Sequence, residues 1–464
     1  MRRLAAFALV ALLAGCQVGP NYARPDTNVP STYRGASAAG PQSLGDLKWA
    51  ELIRDPVLQS LLVEALVKNF DVRVAVQRVL EARAQLAAAH AAQFPTLTAS
   101  GGIGYSRIPP TLSNPNSSYS NWARNLGAQL NYEADLWGQL SRNAQSANAY
   151  LLATESGQKA VLTTVVSSVA NAYLFLRALD LELQIAKDTL VARQASLRLV
   201  QSRLDYGIGT KQDVDQAASL VYTVTSDIPN IERQIEQTEN ALSILLGRNP
   251  GPIPRGLTLV DQFNLPAAPA GVPGTLLERR PDIQAAEQML VAANAQIGAN
   301  MANLLPNLTI SGVGYGVNTQ LGGGTLLTPV NSTLGIFSLA ATLGQLIFDA
   351  GRARAGVALA QSQTQEAVVV YQHTVTQSVR EVSDALVDYR QYIDIVAEQK
   401  KLTDALHDSV RQANLRFEGG VTSYLEVLNA QTQAYTADIN LAQAELAQRN
   451  AVVNLYKALG GGWQ

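Results

Sequence analysis

The sequence predicts a mainly α-helical chain with membrane β-strands, written as one structural unit twice over. Three observations carry that fold class. Shifted by about 213 residues, the chain matches itself: Arg203-Leu204-Asp205-Tyr206-Gly207-Ile208 returns as Arg416-Phe417-Glu418-Gly419-Gly420-Val421, and Leu246-Gly247 returns as Leu459-Gly460. Two long stretches hold no proline and carry an apolar stripe at helical spacing. Two pairs of segments alternate apolar and polar with period two, the signature of strands.

The N-terminus comes first. Arg2 and Arg3 precede an apolar run from Leu4 to Ala14, too short to span a bilayer, so residues 1–15 read as a removable signal. Leu13-Ala14-Gly15-Cys16 resembles the bacterial lipoprotein signal, which implies that Cys16 becomes the lipidated first residue. Cys16 is the chain's only cysteine and has no internal disulfide partner. Gln17, where an Asp tends to hold such proteins at the inner membrane, implies the outer membrane. Residues 16–55, rich in Pro, Gly and Ser, read as an extended tether over the surface. With 35 basic and 37 acidic residues, a net charge of -2 and no basic block, nothing predicts a nucleic-acid partner.

Each repeat then runs through the same elements. The first spans 56–247 and the second 275–464, joined by a proline-rich linker at 248–274. Amphipathic helices are expected at 56–93 and 281–304. Long helices are expected at 138–205 and 351–417, each on the order of 100 Å at ~1.5 Å per residue. Leu162, Val165, Val169, Ala172, Leu176, Leu179, Leu183, Ala186 and Leu190 mark the first heptad stripe; Val368, Tyr371, Val375, Val382, Leu386, Tyr389, Ile393 and Val396 mark the second. Each long helix ends at glycines and a second helix runs back, with Pro229 expected to kink the first returning helix.

Between the helices lie the strands, in hairpins at about 95–136 and 306–348. Leu97, Ala99, Ile103 and Tyr105 alternate with Thr98, Ser100, Gly102 and Gly104, and Trp122 and Trp137 fall near strand ends as an aromatic girdle would. The second hairpin changes phase near Gly312, which predicts a bulge. Four strands leave two open edges and cannot close a membrane barrel, so several copies must share one; two copies and three both satisfy the strands.

Leu277-Glu278-Arg279-Arg280-Pro281-Asp282-Ile283, Ala292-Ala293-Asn294-Ala295-Gln296-Ile297-Gly298, Cys16-Gln17-Val18-Gly19-Pro20-Asn21-Tyr22 and the doubled Arg-x-x-x-Gly hairpin together resemble the lipoprotein branch of the TolC-type outer membrane efflux family. The resemblance implies a homotrimer with a twelve-stranded outer-membrane barrel and a twelve-helix periplasmic tunnel. It implies a periplasmic adaptor and an inner-membrane pump, commonly of the resistance-nodulation-division class, as partners. It implies a Gram-negative outer membrane as the location and passive small-molecule efflux as the function. A protein-secretion exit channel and a pore-free periplasmic coiled-coil lipoprotein are the alternatives.

No enzyme constellation stands out. His90, His373 and His407 lack metal-ligand spacing, the glycines near Gly102 sit in a strand pattern, and no cofactor is expected beyond the lipid on Cys16. Asp205, Asp213, Glu418 and Glu426 recur at the two helical tips, where inward-facing acids of several copies would form rings that gate the tunnel; helix capping is the competing role. The resemblance favours Asp213 as a gate residue. The family's basic partner, however, is Thr422 here and an aromatic partner is Phe417, so an acidic or hydrophobic constriction is expected. Gly207, Gly209, Thr210, Gly420, Thr422 and Ser423 form the tips on which the resemblance places the adaptor. Lys211 and Tyr424 occupy equivalent tip positions, and there the likeness of the halves should fail.

Overall fold

A computed structural model describes residues 17–34, 43–108, 119–263, 273–321 and 333–462. Cys16 and the signal segment therefore lie outside the described residues, as do the side chain of Trp122 and linker residues 264–272. The elements are α1 (Trp49–Leu52), α2 (Pro56–Lys68), α3 (Phe70–Ala91), β1 (Thr96–Ile108), β2 (Tyr119–Ala134), α4 (Gln139–Asp205) and α5 (Lys211–Leu245) in the first half. The second half holds α6 (Leu276–Arg279), α7 (Pro281–Ala302), β3 (Asn307–Leu321), β4 (Thr333–Gly344), α8 (Arg352–Glu418) and α9 (Tyr424–Ala458). They form two compact units: residues 1–25, 80–153 and 286–371 make one, and 26–79, 154–285 and 372–464 the other.

The first unit contains the sheet, antiparallel in the order β1-β2-β3-β4. Thr96 faces Asn131, Asn131 faces Ser311, and Asn307 faces Gly344. One face gathers Leu97, Ile103, Tyr105, Leu126, Phe337, Leu339 and Leu343, all exposed in the single chain. A solvent-facing apolar surface of this kind is the reverse of a soluble sheet and suits hydrocarbon. The opposite face carries Thr98, Gln129 and Ser338, or Thr96, Asn131 and Ser311, in adjoining register.

The expected bulge at Gly312 is absent. Pairing runs without interruption from Leu130 to Gly312 to Leu339, so the backbone keeps its phase. What changes is the side-chain pattern: Gly312, Gly314 and Gly316 take the apolar-face positions, while Val313 and Tyr315 cross to the other face. Leu130 and Leu339 lie 3.6 Å from where a Gly312 Cβ would stand, covering the gap, and Tyr315 packs across from Gly127.

In the same unit, residues 17–25 form a strap. The Val18 amide donates to the Trp137 carbonyl (3.1 Å), and Gln17 Nε2 donates to Ser141 Oγ (2.6 Å). Arg142, only 1% exposed, donates to the carbonyls of Val18 and Gly19 and to Asn21 Oδ1. At its far end Arg24 forms two bonds to Glu287 (2.6 and 2.7 Å) and the Tyr22 hydroxyl a third (2.9 Å). Gly19, at φ +98, passes so close to Gly298 that an added Cβ would sit 2.4 Å from its Cα; two glycines set the clearance of the strap.

The second unit holds the greater part of the helical hairpins. There Val165, Val169, Leu176, Leu179 and Ala186 of the first stripe are buried, as are Val375, Val382, Leu386 and Tyr389 of the second; Tyr371, buried too, closes the first unit. Ile393 is not; it is 40% exposed. The returning helix α5 runs unbroken through Pro229. The stretch 56–93 holds two helices, because the Asn69 side chain accepts from the amides of Asp71 and Val72 and starts α3 afresh. Nor is the stretch before α2 a surface tether throughout. Leu44, Leu52 and Ile53 are buried and Ile53 bridges to Phe263, because a segment with that many apolar side chains gains by packing.

The linker is pinned by one carboxylate. Asp55 is fully buried and accepts from the Val57 amide (2.9 Å), the Leu257 amide (2.9 Å), Gln262 Nε2 (2.8 Å) and the Tyr173 hydroxyl (3.1 Å). Arg255 beside it pairs with Asp180 and Glu239. Sequence pattern passed over Asp55, which looks like an ordinary helix cap before Pro56.

Candidate functional site: the helical tips

The ends of α4 and α8 and the starts of α5 and α9 meet in one core of Val200, Val214, Ala217, Ala413, Phe417, Tyr424, Val427 and Ala430. Both turns have the same build. Gly207 (φ +75) donates to Leu204 and Ile208 to Arg203; Gly420 (φ +72) donates to Phe417 and Val421 to Arg416. These are paired helix-ending bonds around a left-handed glycine, at positions one repeat apart. A Cβ at Gly207 or Gly420 would meet nothing within 4 Å, so both tips are open outward. Tyr206, Ile208, Val421 and Leu425 are exposed beside them.

The four tip acids have different surroundings. Asp213 sits in a capping box: its carboxylate accepts from the Thr210 amide (3.1 Å) and hydroxyl (2.6 Å), while its own amide donates to Thr210 Oγ1 (3.1 Å). Glu426 accepts from the Thr422 hydroxyl and pairs with Arg416 at 3.4 Å. Asp205 accepts from Gln201 (2.9 Å). Glu418 lines a groove of about 450 Å³ with Arg193, His407, Gln431, Tyr435 and Asp438.

Thr422 is thus a ligand of Glu426, and a basic residue from the end of α8 serves that acid instead. Sequence reasoning missed Arg416 because its repeat mate behaves differently. Arg203 stacks over Phe417 at 4.6 Å and donates to the Phe417 carbonyl (3.3 Å). Phe417 itself is buried, edge-on to Tyr424 at 5.4 Å, so it is interior packing and not a lumen-lining constriction. The likeness of the halves does fail at Lys211 and Tyr424: Lys211 is exposed and pairs with Asp215 (2.7 Å), whereas Tyr424 is 2% exposed.

One helical layer further in, Arg193 is buried, donates to the Leu220 carbonyl (2.9 Å) and lies 5.0 Å over the Tyr435 ring. Tyr435 donates to Asp227 (3.0 Å). Burial pushes the Arg193 guanidinium pKa down, against the pull of Tyr435, Asp227 and Tyr424; burial and the Asp227 charge push the Tyr435 hydroxyl pKa up. This cluster ties α4, α5 and α9 together. His407 bonds Asp438 at 2.9 Å, and among the described residues no group of three or more His, Cys, Asp or Glu is placed to hold a metal.

The profile of the family described as outer membrane efflux protein matches residues 61–248 and 272–461, one segment per repeat. The chain belongs to that family. It is 31% identical over 466 residues to the cation efflux system protein CusC of Escherichia coli O6:H1, covering 100% of this chain and 99% of the relative. To the solvent efflux pump outer membrane protein SrpC of Pseudomonas putida it is 33% identical over 471 residues, covering 100% and 98%. The crystal structure of the open state of the Neisseria gonorrhoeae MtrE outer membrane channel superposes with a TM-score of 0.85 at 29% identity, over 97% of this chain and 99% of that one. This efflux protein works at the outer membrane of a Gram-negative cell, and its duplicated helices and four-stranded sheet are the family's architecture.

Proposed function

We propose that three copies close a twelve-stranded barrel and a twelve-helix periplasmic tunnel, forming the exit duct of a tripartite efflux pump. A periplasmic adaptor joins the duct to an inner-membrane pump of the resistance-nodulation-division class. The observation that carries this reading is the sheet: its apolar side chains face outward, and β1 and β4, each paired on one side only, leave two open edges, a state hydrocarbon does not permit in a single chain. Passage is passive and not enzymatic. The substrates are small toxic solutes of the kind named for the relatives, cations and solvents, and the pump that feeds the duct selects among them.

Asp213, Glu426, Asp205 and Glu418 are the gate candidates. Gly207, Gly209, Thr210, Gly420, Thr422 and Ser423 are the adaptor-docking candidates, supported by the openness of both glycine turns. Cys16 carries the lipid, supported by a strap that holds the next residue, Gln17, against Ser141 beside the end of β2. Mass spectrometry of purified protein should find acyl chains on Cys16 and none in Cys16→Ala. The duct is tested by adding the purified protein to planar bilayers. Discrete channels from a species that migrates as a trimer unheated and as a monomer after boiling are expected. Protein that remains monomeric and never conducts would leave the pore-free coiled-coil lipoprotein as the better reading.

A further inference from the structure

The internal repeat fixes how one copy must pair with the next. Advancing β1 by 211 residues turns Thr96 into Asn307, and advancing β2 by 213 turns Asn131 into Gly344; Thr96–Asn131 and Asn307–Gly344 are both observed pairs. The two shifts seen in sequence are therefore also the shifts of the hydrogen-bonded ladder. The same transformation applies to the one junction between halves, β2 with β3, where Asn131 faces Ser311 and Ala134 faces Leu308. Carrying β2 forward by 213 gives β4, and carrying β3 back by 211 gives β1. The β2–β3 junction within a chain is thus the template for a junction between the two open edges, β4 of one copy and β1 of another.

We propose that β4 pairs with β1 of a second copy of this chain in the register that sets Gly344 against Ser100, Ala341 against Ile103, Ala340 against Gly104 and Leu339 against Tyr105. The proposal rests on the shared-barrel reading and deepens it to single residues. The parity agrees. Ala341 and Leu339 lie on the apolar face of β4, as Ile103 and Tyr105 do on β1, so the register keeps one continuous lipid-facing surface; a shift by one residue would put polar side chains into it.

The register also accounts for an isolated feature. Ile347, three residues past the end of β4, is 93% exposed, and Leu97 at the start of β1 is 73% exposed. By the same transformation Ala134–Leu308 becomes Ile347–Leu97. The ladder therefore extends beyond β4 into Gln345, Leu346 and Ile347 when the neighbouring copy is present, as β2 extends to Ala134 within the chain.

Zero-length oxidative cross-linking of the full-length protein in outer membranes tests this. The matched double variants are Ala341→Cys with Ile103→Cys on one face, Ala340→Cys with Gly104→Cys on the other, and Ile347→Cys with Leu97→Cys past the strand end. Using both faces samples both classes of antiparallel pair. Dimer and trimer bands that vanish with dithiothreitol are expected from the matched variants. Ala341→Cys with Tyr105→Cys or with Gly101→Cys, displaced by ~6.6 Å along the strand, should stay monomeric. Adducts from a displaced variant and none from the matched ones would overturn the register while leaving the shared barrel intact. If no variant yields adducts yet the unmodified protein conducts, the β4–β1 junction is wrong and the duct survives. No adducts and no conductance would overturn both.

Discussion

Replacing Asp55 isolates the force that holds the linker. The Val57 bond is a local helix cap, and losing it costs about 1 kcal/mol of α2. The bonds from the Leu257 amide and Gln262 Nε2 belong to the linker, and the Tyr173 hydroxyl is itself tied to it by accepting from the Gly256 amide (2.8 Å). A hydrogen bond to a charged acceptor contributes about 1.5–3 kcal/mol, so the two linker bonds alone hold it with at least about 3 kcal/mol. In Asp55→Ala the Leu257 amide and the Tyr173 hydroxyl lose their acceptor, and Gln262 Nε2 keeps only the carbonyls of Leu257 and Thr258. In Asp55→Asn the amide presents N–H groups to a site built wholly of donors.

Both variants should open the linker more often. At 1.4 kcal/mol per factor of ten, 3 kcal/mol raises the open population roughly a hundredfold. Trypsin reports this directly, because Arg255 is held by Asp180 and Glu239 and becomes cleavable only when the linker lifts. With opening fast relative to cleavage, the rate of cutting after Arg255 should rise by about the same factor. Cleavage of Asp55→Ala at the wild-type rate would refute the argument that this carboxylate pins the linker.

Other expectations follow from the tips and the helix core. Gly207→Val and Gly420→Val each force a β-branched residue into left-handed backbone at about 1–2 kcal/mol, so a small fall in melting temperature with loss of export from a correctly inserted protein is expected; undiminished drug resistance would count against adaptor docking there. Asp213→Ala with Glu426→Ala should raise single-channel conductance and lower cation selectivity, at a further cost of about 1 kcal/mol for the lost cap; unchanged conductance would remove both acids from the gate. Burial raises the pKa of Glu182 against a weaker opposing bond from Gln443. The folded protein therefore holds that proton more tightly than the unfolded chain, and the stabilising contribution, full below the ordinary value of 4.5, is lost as pH rises through the folded value. Glu182→Gln should be more stable than wild type at neutral pH and lose part of the wild type's gain on mild acidification, as read by thermal unfolding at several pH values.

The duplication, the long helices, the strand pairs and the glycine turns were legible because each is a local pattern. A 3.6 or 2.0 residue period, a breaker or a left-handed glycine acts over a few residues and needs no neighbour in space. Asn69 was legible in principle, since an Asx residue before an apolar run is a capping signal, but the continuous pattern on both sides hid it.

What the tertiary structure alone decided lies in partner choice. Arg203 and Arg416 are the same letter at the same place in the repeat, yet one stacks on Phe417 and the other pairs with Glu426. Asp55 became the hub of the linker only because Leu257, Gln262 and Tyr173 converge on it from remote parts of the chain. Gly312 marks a switch of side-chain face with no break in the ladder, which only the pairing on both flanks reveals. Periodicity determines which elements form and which face is apolar; which charge meets which donor depends on three-dimensional approach, and sequence spacing does not encode it.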